Sequence, residues 1–173
     1  VAGRAFLPYL NERVMAGLGR GISETGRLSD EGRERALRAL RRFGAILDGL
    51  DIDQVSAVAT AAVRTAKDGH EFLELANRSL GHPIVVLSGS EEARLSAVGV
   101  VEGLYGVDGL VGDLGGSSLE LAEVSESEFV AGESHLIGPL SMLNGEEPGK
   151  KTREKIRKVL AKSELLPGRG GRR

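Results

Sequence analysis

Two short apolar runs, residues 54–60 (QVSAVAT) and 83–87 (PIVVL), are each followed by a stretch of helical spacing, and after Gly106 that alternation stops. Strand, helix, strand, helix is the signature of parallel strands joined by crossover helices. Residues 1–19 read as the end of one strand and then a second strand around Arg13 to Ala16. Ser29 is placed to cap a long helix reaching about Gly49, with Ala36, Leu37, Leu40, Phe43, Leu47 and Leu50 at helical spacing. A second helix is expected over residues 71–80, ended by Gly81, and a third over about 91–104. Beyond Gly106 three strands follow closely, at 110–113, 118–124 and 134–137, the first two forming an antiparallel hairpin around Gly115, Gly116 and Ser117. A last helix is expected over about 152–165. The expected fold is therefore α/β, divided near Gly106 into 1–106 and 107–173.

Aromatic residues make up 3% of the chain and Trp is absent, so the core must come from Leu, Val, Ala and Ile. That suits α/β layers better than an aromatic-rich β-sandwich. With no cysteine, disulfides and thiolate metal sites are excluded. No apolar run is long enough to span a bilayer and no signal peptide is evident, so the expectation is a cytoplasmic protein without a membrane partner. The net charge of −2 hides an asymmetry: residues 150–173 hold ten Lys or Arg against two Glu. Such a tail can attract a polyanion, although a solvated helix face and a frayed terminus account for it more simply. The Arg-rich stretch 33–42 carries acids and an apolar stripe and lacks aromatics. It reads as a solvated face, and no nucleic-acid partner is expected. His70, His82 and His135 show no ligand spacing and are assigned surface or turn roles.

Three segments carry candidate chemistry. In residues 110–121 (LVGDLGGSSLEL) an apolar strand delivers Asp113, then come Gly115, Gly116, Ser117 and Ser118, then a return strand bearing Glu120. Glycines let backbone N–H groups approach an oxyanion, and serines add donors. Asp113 and Glu120, across a tight hairpin, could hold a hydrated Mg²⁺ against that phosphate. The structural alternative is an ordinary glycine-rich hairpin. In residues 88–94 (SGSEEAR), Ser88 and Glu91 form a capping box, which explains Glu91 and leaves Glu92 without a structural need. A carboxylate at a strand-to-helix junction can serve as a general base for water if it faces a cleft, although from spacing alone a structural role in the first helical turn accounts for it better. In residues 59–64 (ATAAVR), Arg64 follows a buried strand and could clamp phosphate oxygens or pair with a surface acid.

Together these segments resemble the exopolyphosphatase and guanosine pentaphosphate phosphohydrolase family, within the actin-like, RNase H-like superfamily. The likeness runs from about Gly3 to Leu143 and also takes in the Gly17-Leu18-Gly19 turn and the Thr25-Gly26-Arg27-Leu28-Ser29 segment. It implies a two-lobed fold with a cleft and hydrolysis of terminal phosphoanhydride bonds in polyphosphate or guanosine pentaphosphate. It implies Glu92 as the base that activates water, and Mg²⁺, with or without a monovalent cation, held by Asp113 and Glu120. Arg64, Gly115, Gly116, Ser117 and Ser118 would hold substrate phosphate. One departure is Ser117, where many relatives have a third glycine; serine is acceptable there if its φ is negative. Another is that the opening Asp-x-Gly-Ser-type hairpin of the first lobe is not found, and the chain stops at Arg173 before a closing half of the second. Both lobes are thus expected to be incomplete, and this chain alone nearly inactive and prone to associate, a homodimer included. An ATP-dependent kinase of the same superfamily and a non-catalytic polyphosphate- or alarmone-binding module are the competing readings.

Overall fold

The computed structural model describes residues 10–52, 54–143 and 147–166. The order is α1 (Ile22–Thr25), α2 (Asp30–Gly49), β1 (Ala57–Ala59), α3 (Ala61–Thr65), α4 (Gly69–Leu80), β2 (Ile84–Val86) and α5 (Gly89–Gly103). There follow β3 (Gly109–Leu114), β4 (Leu119–Ser125), β5 (Glu128–His135), α6 (Pro139–Met142) and α7 (Lys150–Leu160). β1 and β2 pair in parallel, and β3, β4 and β5 form an antiparallel meander, so the change of pattern after Gly106 is borne out.

Local chemistry accounts for the helix ends. Ser29 caps α2 by accepting from Gly32 N–H, with Asp30 and Glu31 in the first turn to oppose the helix dipole. α4 stops at Gly81, whose φ of 80° only glycine adopts without strain. α5 starts from Ser88, which accepts from Glu91 N–H at 3.1 Å.

Several boundaries differ from the sequence expectation. The part of the first expected strand that falls on residues 1–9 lies outside the described residues. Among the described residues no ladder forms around Arg13 to Ala16: β1 pairs with β2, and Val14 and Ala16 line the same apolar cleft as Val58 and Ala59 of β1. β1 and β2 are each trimmed to three residues, because only that length is paired. The strand expected at 134–137 instead spans 128–135. A two-residue turn with positive φ at both Glu126 (52°) and Ser127 (65°) reverses the chain earlier, and neither residue advertises such a turn. The short helices α3 and α6 carry too few residues to show periodicity. α7 begins at Lys150 and ends at Leu160, not at 152 and 165. Ser163 closes the following turn by donating to Glu133 from its hydroxyl, while Glu164 N–H donates to the other Glu133 oxygen at 3.2 Å. His135 joins the same cluster, its Nε2 3.1 Å from Glu133 and its side chain 13% exposed, which corrects the surface or turn role assigned to it. Burial pushes the Glu133 carboxyl up, but the Ser163 and Glu164 donors and the neighbouring His135 imidazole outweigh it and leave the group below its ordinary value.

Two apolar clusters form. Ile22, Leu28, Ala36, Val63, Phe72 and Ala76 fill the space between α2, α4 and the first sheet. Ala93 and Ala97 of α5 meet Ala122 and Val124 of β4 in the second. α5 therefore packs on the β3–β5 sheet although it precedes Gly106 in sequence. The contact is close: a Cβ on Gly132 of β5 would stand 2.7 Å from that of Ala93. On the first sheet, register partners Val58 and Val85 are 55% and 60% exposed, leaving an apolar face open. Among the described residues no helix is long and apolar enough to cross a membrane.

Asp68, 4% exposed, ties the segment before α2 to α4: it accepts from Leu28 N–H at 3.0 Å and from Arg33 at 3.1 Å. Burial raises this carboxyl. The Leu28 and Asp68 N–H groups, with Arg27 and Arg33, more than offset that and hold it below its ordinary 3.8. A depressed folded-state value stabilises above pH 3.8, and that contribution is lost as pH falls through the folded value. Asp68→Asn should therefore cost about 2 kcal/mol at pH 7 in urea unfolding. The gap from wild type should narrow below pH 3.8. A gap independent of pH contradicts the assignment.

Candidate active site

Backbone pairing lines up the first three groups. Asp113 of β3 is the register partner of Glu120 on β4, and Glu120 is the partner of Ser134 on β5. Residues directly opposite in an antiparallel sheet share a face, so these side chains form one row, under α5. Glu92 and Ser96 lie four residues apart on α5, on one side of the helix. Ser96 donates to Asp113 Oδ2 at 2.7 Å.

Arg64 enters the row from α3 in the other half of the chain. Its Nη1 donates to Leu87 O at 2.8 Å and to Glu92 Oε2 at 2.9 Å, and its Nη2 donates to Ser134 Oγ at 3.1 Å. Ser134 donates in turn to Glu120 Oε1 at 2.7 Å. The Arg64 and Glu92 side chains are 21% and 15% exposed, and Glu120 as a residue is 2% exposed. Charges this withdrawn from water persist only when paired and hydrogen-bonded, and the chain Glu92–Arg64–Ser134–Glu120 supplies that pairing.

Glu91 and Glu92 separate cleanly. Glu91 gives its N–H to the Ser88 cap and its carboxylate to Arg94 at 2.8 Å on the outer face; the Arg94 hydrogen bond and charge lower its carboxyl. Glu92 points inward to Arg64. Of the two sequence alternatives for Arg64, pairing with a surface acid is not what occurs: its acid is a half-hidden residue in the cleft.

The hairpin bend follows Asp113. Gly115 donates to Ser118 O at 2.9 Å, closing the four-residue turn. The carbonyls of Gly116 and Ser117 accept from Leu140 and Gly138, so α6 props the bend from behind. No hydrogen bond leads from the N–H groups of Gly116, Ser117 or Ser118 to another described residue. Successive free N–H groups in a bend make an anion-binding concavity. Ser118 is 3% exposed. Ser117 is not among the positive-φ residues, so serine stands there without backbone strain. Its side chain has room because Gly19 faces it: a Cβ on Gly19 would overlap the Ser117 hydroxyl and come within 3.0 Å of Ser117 Cβ.

Among the described residues no group of three or more His, Cys, Asp or Glu side chains is arranged to hold a metal ion. Mg²⁺ at phosphate sites is commonly bound by one or two carboxylates, with water and phosphate completing the shell. Asp113 and Glu120 supply two carboxylates side by side and fit that kind of site, not an all-protein cage. Elsewhere, an apolar cleft of about 300 Å³ between α2, α4 and β1 lacks any charged lining group and cannot orient a phosphate. Ser96 and Ser134 escaped the sequence reading. Ser134 would have been found from the Glu120 register had the turn at Glu126 and Ser127 been recognisable.

The sequence profile of the Ppx/GppA phosphatase family matches residues 2–165. The chain belongs to this family. It is similar in structure to an exopolyphosphatase from Cytophaga hutchinsonii, with 27% identity and a TM-score of 0.76 over 87% of this chain and 52% of that one. An exopolyphosphatase-like protein matches at 30% identity and TM-score 0.71, over 83% of this chain and 50% of that one. The PPX-GPPA enzyme of Aquifex aeolicus matches at 29% identity and TM-score 0.63, over 88% and 55%. The chain thus spans about half the length of these structures. The Ppx/GppA identity agrees with the resemblance drawn from the sequence segments.

In this Ppx/GppA chain the contact between Gly19 and Ser117 makes a paired test. Gly19→Ala should destabilise by about 1–3 kcal/mol through overpacking. Adding Ser117→Gly should recover most of that loss in thermal or urea unfolding. Additive losses contradict the contact.

Proposed function

We propose that the protein hydrolyses terminal phosphoanhydride bonds of inorganic polyphosphate or guanosine pentaphosphate. The observation that carries this reading is the Arg64–Glu92 pair at 2.9 Å, on the same face as the row that leads into the hairpin bend. A cation and a carboxylate that satisfy each other beside open N–H donors form a site where an incoming anion can replace the carboxylate. Family membership and the likeness to exopolyphosphatase structures support the same reaction class.

In the proposed reaction the phosphoryl group takes the Arg64 guanidinium and the N–H groups of Gly116, Ser117 and Ser118, with the Ser118 hydroxyl beside them. Glu92, released from Arg64, accepts a proton from water. The water oxygen bonds to the terminal phosphorus as the bridging P–O bond breaks, and the shortened chain leaves carrying the electron pair. Asp113 and Glu120 are the residues to hold Mg²⁺, which when bound neutralises charge on the phosphoryl oxygens. Positioning and electrostatic stabilisation supply most of the rate in such transfers. The division at Gly106 into two lobes flanking the cleft is part of this reading.

The test is Glu92→Gln in a full-length version of the protein, since this chain spans about half the length of the structures it matches, assayed by orthophosphate release from tripolyphosphate and from guanosine pentaphosphate. Turnover should fall roughly 10²- to 10⁴-fold, the range of a lost general base, with substrate affinity kept or tightened. Unchanged turnover removes Glu92 from the mechanism. Binding without any turnover by the full-length version supports the binding-module alternative instead.

A further inference from the structure

The hydroxyl of Ser134 stands at the centre of the Arg64 network, and the reaction written above does not use it. Its single proton goes to Glu120 Oε1 at 2.7 Å, since an ionised carboxylate accepts and cannot donate. Its lone pairs then face Arg64 Nη2, which donates at 3.1 Å. The charges on either side fix the direction of both bonds.

The other arm of Arg64, Nη1, is divided between Leu87 O at 2.8 Å and Glu92 Oε2 at 2.9 Å. The guanidinium therefore meets Glu92 through one nitrogen. Arginine and carboxylate often meet through two parallel N–H···O bonds, a more tightly held arrangement. Nη2 keeps a second N–H, but its bond to Ser134 fixes the orientation of the guanidinium, and in that orientation only Nη1 meets Glu92. Ser134 is itself held firmly: β4 pairs with it through Glu120, and Gly89 at the start of α5 approaches so closely that a Cβ there would lie 2.7 Å from Ser134 Cβ.

We propose that Ser134 is a positioning residue that keeps the Arg64–Glu92 pair one-legged, so that a phosphoryl group can take Arg64 and set Glu92 free. The proposal rests on the hydrolase reading above and adds a residue to it. Without the hydroxyl, Nη2 turns to Glu92, the two-bond fork closes, and the substrate must displace a stronger internal competitor.

The experiment is a double-mutant cycle on binding, with Mg²⁺-tripolyphosphate as the probe and calorimetry as the readout. Ser134→Ala removes one atom and adds none, so it preserves the approach of Gly89. In the Glu92 background it should raise Kd roughly 10-fold, the size of one charge-assisted contact. In the Glu92→Gln background, where no carboxylate competes, it should change Kd less than about twofold. A structural defect at Ser134 would weaken binding equally in both backgrounds, and that result overturns the proposal, as does no change in either. Steady-state kinetics give the companion readout: Ser134→Ala should raise KM with kcat little changed, whereas loss of folded protein lowers kcat at constant KM. A full-length version that binds tripolyphosphate but never hydrolyses it overturns the hydrolase reading, while the cycle still decides Ser134. Wild type that does not bind it overturns both.

Discussion

One guanidinium joins the two halves of the candidate site. Arg64 sits in a five-residue helix, yet it reaches the chain leaving β2, the first turn of α5 and the last strand of the meander. Each of these contacts is a charge-assisted hydrogen bond, about twice as strong as its neutral counterpart. Remove the cation and Glu92, 15% exposed, loses its partner, while buried Glu120 keeps only the Ser134 hydroxyl. The arrangement is therefore both a structural tie and a source of binding energy for any anion that can take the place of Glu92.

The tie works because the surrounding backbone comes unusually close. α5 presents Ala93 and Ala97 to the sheet, and Gly132 leaves β5 room to meet them. Gly89 does the same above Ser134, and Gly19 beside Ser117. Interiors packed this tightly transmit small displacements instead of absorbing them. The hairpin bend and the Glu92 carboxylate on α5 are accordingly held apart at a distance set by the small residues packed around them. The bend itself is braced by α6 through its carbonyls, and its N–H groups at residues 116–118 make no bond to another described residue.

Much of this was legible in the sequence, for identifiable reasons. The α2 cap at Ser29 and the stop at Gly81 follow from side-chain and backbone preferences that act locally, and the hairpin from Asp113 to Glu120 carries its glycines in plain view. The role of Glu91 as a cap neighbour was readable, and that left Glu92 as the residue needing another explanation. What stayed hidden depends on contacts distant in sequence. The turn at Glu126 and Ser127 adopts positive φ with no glycine or asparagine, so β5 began six residues earlier than expected, and the position of Ser134 opposite Glu120 went with it. His135 has no ligand spacing, but it is buried against Glu133 by the turn after α7. The absence of a ladder at residues 13–16 could not be read from their own composition, since a strand exists only if an edge is there to pair with it.

The most direct measurement is a crystal structure of the protein with a non-hydrolysable imidotriphosphate bound. The account predicts a phosphoryl group between Arg64 and the N–H groups of residues 116–118, with Glu92 detached from Arg64 and turned toward the terminal phosphorus. An intact Arg64–Glu92 pair, with the anion seated instead on the basic α7 helix, would contradict it.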